Sequence, residues 1–251
     1  MLLKFIVASL LLGFLLGGCG GQTTQPATGS EREVVVLLHG LGRSTQAMRY
    51  LQYRLENAGY EVFNIGYPST RLTSDDIVHL LQDRVRICCA HSQKVHFVGH
   101  SLGGLMVRAL LGEKREVNLG RVVVLGTPNQ GTQLVDWLTG NRLFNVLAGP
   151  TALHLGTGED AFPRGLPEPD YDLGVIAGDR SINPIGSWVL SGPDDGIVSV
   201  ESTRIPGMKD FMLTSAGHVL MRYSDEVADA VIHFLRTGSF SETTGSVESA
   251  N

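Results

Sequence analysis

The sequence predicts an α/β domain with a mostly parallel sheet and helices on both faces, and three features carry that expectation. Short runs such as Val34-Val35-Val36-Leu37-Leu38 and Val122-Val123-Val124-Leu125 are apolar throughout rather than alternating, the pattern of strands covered on both faces. These runs alternate with segments of helical periodicity, the order that βα units impose. Glycine clusters at the strand ends, most densely in Gly99-His100-Ser101-Leu102-Gly103. With 251 residues, 43% hydrophobic and 18% charged, the chain can bury a full core. Its formal net charge of -5 supplies no basic field for nucleic acid.

The first segment stands apart from the fold. Lys4 precedes an apolar stretch over 5–16 and then Gly17, Gly18 and Cys19, the charged, apolar and small-residue zones of an export signal over 1–18. The stretch is short for a membrane span of about 20 residues. Leu16-Gly17-Gly18-Cys19 resembles the lipobox of bacterial lipoproteins. That resemblance implies lipid attachment at Cys19, partnership with a membrane, and an exported, outer-membrane or periplasmic address. Residues 19–32, rich in Thr, Gln, Pro, Gly and Ser, then form a solvated tether.

The domain is expected over 33–238. Strand 34–38 ends in His39-Gly40-Leu41-Gly42, and Ser44 is placed to cap a helix running to Ala58, closed by Gly59. A strand follows at 61–65. A helix opens at Thr73 or Ser74, with Asp75 and Asp76 in its first turn, where the helix dipole favours acid. Cys88 and Cys89 at its end read as buried or idle thiols, with a vicinal disulfide as the alternative. Strand 94–98 leads into the G-x-S-x-G turn and a helix over 102–111. Strand 122–125 ends in Gly126-Thr127-Pro128-Asn129. Residues 131–169 lose periodicity and predict a lid-like insertion, because compact domains seldom carry long irregular connections without a use. The sheet resumes at 172–177, followed by the short apolar run 188–190, a turn over 192–198 and a last strand at 209–213. A helix from Ser224 completes the domain, and residues 239–251 are a polar tail.

Ser101 is the candidate nucleophile, standing on a sharp strand-to-helix turn flanked by glycines. A serine hydroxyl needs an imidazole to take its proton and a carboxylate to orient that imidazole. Among the histidines, only His218 falls in a loop after the last strand; His39, His79, His91, His96, His100, His154 and His233 have the wrong address. Asp195, Asp194 and Asp179 are all candidates for the acid. Asp195 is favoured because Gly196 permits a sharp bend and the apolar residues behind it anchor the loop. The backbone amides of Leu41 and Leu102 are the candidate oxyanion donors. The chemistry requires no metal and no organic cofactor.

Taken together, Val-Val-Leu-Leu-His-Gly-Leu-Gly at 35–42, Gly-His-Ser-Leu-Gly-Gly at 99–104, Leu-Gly-Thr-Pro-Asn-Gln-Gly-Thr at 125–132, Asp-Gly-Ile-Val-Ser-Val-Glu-Ser-Thr at 195–203 and His218 resemble bacterial lipases and esterases of the α/β-hydrolase superfamily. The resemblance implies the α/β-hydrolase fold and a triad of Ser101, Asp195 and His218. It also implies cleavage of carboxylic, acyl or lipid esters through an acyl-enzyme. Thioesters and amides suit the same triad. Two rivals stand beside this reading. One is a non-catalytic lipoprotein using the fold for binding. The other is a dinucleotide-binding oxidoreductase suggested by Gly40-Leu41-Gly42-x-x-Thr45, with Glu61 at the ribose-binding spacing.

Overall fold

A computed structural model describes residues 32–241 apart from 113–114, 142–143 and 145–147. The expected export signal, Cys19, nearly all of the tether, residues 242–251 of the tail, and Leu143, Val146 and Leu147 of the insertion lie outside the described residues. No helix among the described residues is long and apolar enough to cross a membrane.

Six strands form one sheet: β1 Val34–Leu38, β2 Glu61–Ile65, β3 Val95–His100, β4 Leu119–Leu125, β5 Leu173–Gly178 and β6 Asp210–Thr214. Their order is β2-β1-β3-β4-β5-β6, and every neighbouring pair is parallel. Successive side chains of a strand face opposite ways, so each continuous apolar run feeds two cores at once. Val34, Val36 and Leu38 join the cluster under α2 (Ser74–Cys89) and α3 (Leu102–Gly112). Val35 and Leu37 join the cluster under α1 (Arg49–Asn57) and the final long helix, α6 (Asp225–Thr237). Leu51, Leu55, Val231 and Phe234 are fully enclosed there. Each such side chain contributes about 1.5–3 kcal/mol by leaving water.

Most expected elements appear within one or two residues of their predicted limits, and the differences have local causes. Ser44 makes no side-chain cap; the chain instead enters α1 through a 3-10 turn at Thr45–Met48. Thr73 does cap α2, accepting the Asp76 N–H. The apolar run 188–190 belongs to a short helix, α5 (Pro184–Val189), where Pro184 in the first turn suits helix entry. Trp188 there is 78% exposed. Cys88 and Cys89, the last two residues of α2, are joined in a vicinal disulfide, which corrects the expectation of buried or idle thiols in favour of its alternative.

The insertion carries α4 (Gln133–Leu138), a 3-10 turn at Ala152–His154 and a single helical turn at Phe162–Gly165. Its described parts are tied down. Thr132 donates to the Ile197 carbonyl at 2.6 Å, Thr151 to the Leu72 carbonyl at 2.8 Å, and buried Arg108 to the carbonyls of Leu166 and Pro167.

The strand order places the site. From β1 the chain moves outward to β2, then crosses back to lay β3 on the other side of β1. The carboxyl ends of β1 and β3 therefore flank the point where the winding reverses, the crevice in which open α/β sheets hold ligands. Gly40 and Ser101 emerge there.

Candidate active site

Ser101 joins β3 to α3 in one residue. Its φ of 56° makes it the only non-glycine with positive φ among the described residues. Such a conformation costs on the order of 1–3 kcal/mol and persists only where its surroundings fix it. Three bonds do so: the Ser101 N–H donates to the Leu125 carbonyl at 2.9 Å, and the Ser101 carbonyl accepts from the Gly104 N–H at 3.0 Å and the Thr127 hydroxyl at 3.1 Å. The helix must also begin hard against β1. A Cβ on Gly103 would lie 2.2 Å from the Leu38 carbonyl oxygen, so no larger residue fits.

His218 follows β6 and turns back over the sheet. Its N–H donates to the Asp195 carbonyl at 2.9 Å, and its Nδ1 stands 2.7 Å from Asp195 Oδ2. A carboxylate can only accept, so Nδ1 carries the proton. Nε2 is then an acceptor, 3.0 Å from Ser101 Oγ. Asp195 is itself held, its Oδ1 accepting the N–H groups of Ile197 at 3.0 Å and Val198 at 2.8 Å. The bend that aims these amides passes through Gly196 at φ 98°, a conformation suited to glycine.

The three carboxylates that the sequence leaves open stand in different surroundings. Asp194 Oδ1 is engaged elsewhere, by the Gly196 N–H at 2.7 Å and the Ser187 hydroxyl at 3.1 Å. Asp179 lies exposed beyond β5. Only Asp195 of the three meets His218.

The predicted amide donors lie beside Ser101. A Cβ on Gly40 would stand 3.1 Å from Ser101 Cβ, which places the β1 end loop against the serine. His39 Nδ1 donates to the Gly40 carbonyl at 2.9 Å. Because the peptide is planar and trans, the Leu41 N–H points away from that bond. The His39 ring is clamped in turn, stacked on Tyr67 at 4.3 Å, and burial pushes its pKa down so that it stays neutral. Leu102 begins α3, so its N–H has no intrahelical acceptor. His39, Tyr67 and Thr127 are supporting residues the sequence reading left without a role. Thr127 lies in a glycine-proline strand end, which is the signal that marked its position.

Among the described residues no group of three or more His, Cys, Asp or Glu could hold a metal. The dinucleotide fingerprint also lacks its context. Gly42 N–H donates to Ser69 Oγ at 3.0 Å, and Glu61 pairs with Val34 at the start of the strands, the opposite end of β1 from the glycine loop.

Comparison with known proteins agrees with this architecture. The chain superposes on the mature form of the Bacillus licheniformis lipase BlEst2 with a TM-score of 0.67 and 21% identity, covering 84% of this chain and 96% of the lipase. The chain has the α/β-hydrolase fold. Phospholipase PlaB from Legionella pneumophila also matches, with a TM-score of 0.56 and 20% identity over 68% of this chain and 45% of that one. By sequence, residues 34–153 match the palmitoyl protein thioesterase family model. The bovine lysosomal thioesterase PPT2 is 24% identical over 244 residues, covering 80% of this chain and 76% of the relative. The family match takes in Leu41, Ser101 and Leu102 and stops before Asp195 and His218, whose placement rests on the geometry above.

Proposed function

We propose that this protein is a serine hydrolase that cleaves carboxylic esters of apolar acyl groups through an acyl-enzyme at Ser101. One observation carries the reading: a continuous hydrogen-bonded line from Asp195 Oδ2 through His218 to Ser101 Oγ, with spacings of 2.7 and 3.0 Å. In the mechanism, His218 Nε2 takes the hydroxyl proton as Ser101 Oγ attacks the carbonyl carbon. Asp195 stabilises the imidazolium that forms. The tetrahedral oxyanion is met by the N–H groups of Leu41 and Leu102, fixed donors that require no reorganisation. Collapse breaks the bond to the leaving group, which takes the proton from His218. Water, deprotonated by His218, then releases the acid and restores the serine.

Exposed apolar side chains on segments next to the acid loop and His218 support an apolar acyl group. Both tryptophans of the chain, Trp137 on α4 and Trp188 on α5, are exposed on helices that pack together, and Ile182 and Ile185 are exposed beside them. α5 adjoins the acid loop through Ser187, and exposed Val219 and Leu220 directly follow His218. Exposed apolar groups on segments that adjoin the Asp194–Asp195 turn and follow His218 favour an apolar ligand.

A second reading, thioester cleavage, is favoured by the family match over residues 34–153. A thiolate leaves more readily than an alkoxide, and the same line of groups serves it. Matched oxygen and thio esters of one acyl series, from acetyl to palmitoyl, separate the two. The ester reading expects turnover of both with a preference rising with acyl length. Turnover of thioesters alone makes this a thioesterase, and turnover of neither removes the hydrolase reading. The membrane-tethered address, read from Leu16-Gly17-Gly18-Cys19, is part of the proposal: Cys19→Ala is expected to move the protein from the membrane to the soluble fraction of its host.

A further inference from the structure

His100 lies immediately before the nucleophile, and the mechanism above gives it no step. It is fully enclosed. Its Nε2 stands 2.8 Å from the His218 carbonyl oxygen. A carbonyl can only accept, so Nε2 carries the proton and Nδ1 is bare. Nδ1 meets no partner among the described residues and faces Gly40, where a Cβ would lie only 3.1 Å away. The His100 ring also rests against the His218 ring, with centroids 4.8 Å apart and planes tilted by 55°. One side chain therefore touches the base, adjoins the serine by sequence, and borders the loop that offers the Leu41 amide.

We infer that His100 is a positioning residue: its Nε2–H holds the His218 backbone, and its ring supports the His218 imidazole in line with Ser101 Oγ. The inference rests on the serine-hydrolase reading. His218 otherwise bonds Asp195 through its own N–H and Nδ1, and Ser101 Oγ through Nε2. The His100 bond pins the loop from the sheet side. Ring neutrality is required, because an imidazolium 4.8 Å from His218 would oppose the charge that His218 acquires during attack. Burial keeps His100 neutral by holding its pKa well below the ordinary value, and the neighbouring His218 adds to that effect. A second proton on Nδ1 would find no acceptor.

The test compares full-length wild type with His100→Phe, His100→Asn and His100→Gln. Phe keeps ring volume without a donor. Asn has an amide donor one methylene too short. Gln carries an amide nitrogen to about the reach of Nε2. For Phe and Asn, kcat on a short acyl ester and the rate of fluorophosphonate reaction at Ser101 are expected to fall about ten- to hundredfold with KM changed less than about threefold. His100→Gln is expected to recover both rates to within about threefold of wild type. Thermal midpoints identify any variant lost to unfolding, and Asn stands in for Phe in that case. Equal losses in Gln and Asn at equal thermal midpoints overturn the positioning role, as do wild-type rates in Phe or Asn. Absence of fluorophosphonate reaction in the wild type removes the hydrolase reading itself, an outcome distinct from either.

Discussion

Asp195 and His218 are joined twice, through the Nδ1 to Oδ2 contact at 2.7 Å and through the His218 N–H on the Asp195 carbonyl at 2.9 Å. Backbone and side chain of the acid together fix both the position of the imidazole and its tautomer. Replacing the carboxylate while keeping the shape should therefore leave the loop in place and disturb only the proton. For Asp195→Asn, kcat is expected to fall by about 10⁴, because the amide no longer requires Nδ1 to carry the proton. Asp194→Asn, whose Oδ1 partners are the Gly196 N–H and Ser187, should lower kcat by less than about tenfold. Steady-state kinetics of the two variants check this, and a larger loss for Asp194→Asn would reassign the acid.

Ser101 holds a backbone angle that favours glycine. Ser101→Gly should abolish ester turnover and stabilise the fold by about 1 kcal/mol, a rise in Tm of about 2–4 °C for a domain of this size. Calorimetry of the two proteins reads the shift. A lower Tm in the glycine variant would show that the elbow stores no strain.

Much of this arrangement was legible in the sequence. Continuous apolar runs such as Val34-Val35-Val36-Leu37-Leu38 announce buried parallel strands, and chain order singled out Ser101 and His218. The rest depended on contacts between distant segments. Asp194 and Asp195 share one turn and one chemistry, and only the direction of each carboxylate separates them. The run 188–190 reads only as a short apolar run without an element, because hydrophobicity alone does not tell a strand from a short helix whose tryptophan faces water. His100 was passed over as part of the elbow, since its partner, the His218 carbonyl, lies 118 residues away.

Exposed Trp188 offers apolar area to a long acyl chain and little to a short one. Trp188→Ser is expected to raise KM for a long-chain ester about three- to tenfold, while changing KM for the acetyl ester less than twofold. Equal effects on both substrates would place the acyl chain elsewhere.

Three enclosed histidines set a pH dependence of stability. Burial holds the pKa of His39 and His96 below the ordinary value of 6.5, and that of His100 well below it. As pH falls through 6.5 the unfolded chain takes up these protons before the folded one does. The stability they confer is thus complete above 6.5 and is lost toward the lower, folded values. Tm is expected to decline from about pH 7.5 to about pH 5.5, and the decline should be shallower in His96→Gln. A Tm that holds constant or rises over this interval would contradict the assignment.

The central claim is that Ser101 Oγ is a nucleophile activated by His218. Its most direct test is peptide-resolved mass spectrometry of the folded protein after exposure to a fluorophosphonate. The account predicts a single phosphonyl adduct on Ser101, lost in Ser101→Ala and strongly slowed in His218→Ala. An unmodified Ser101, or labelling at the same rate in His218→Ala, would contradict it.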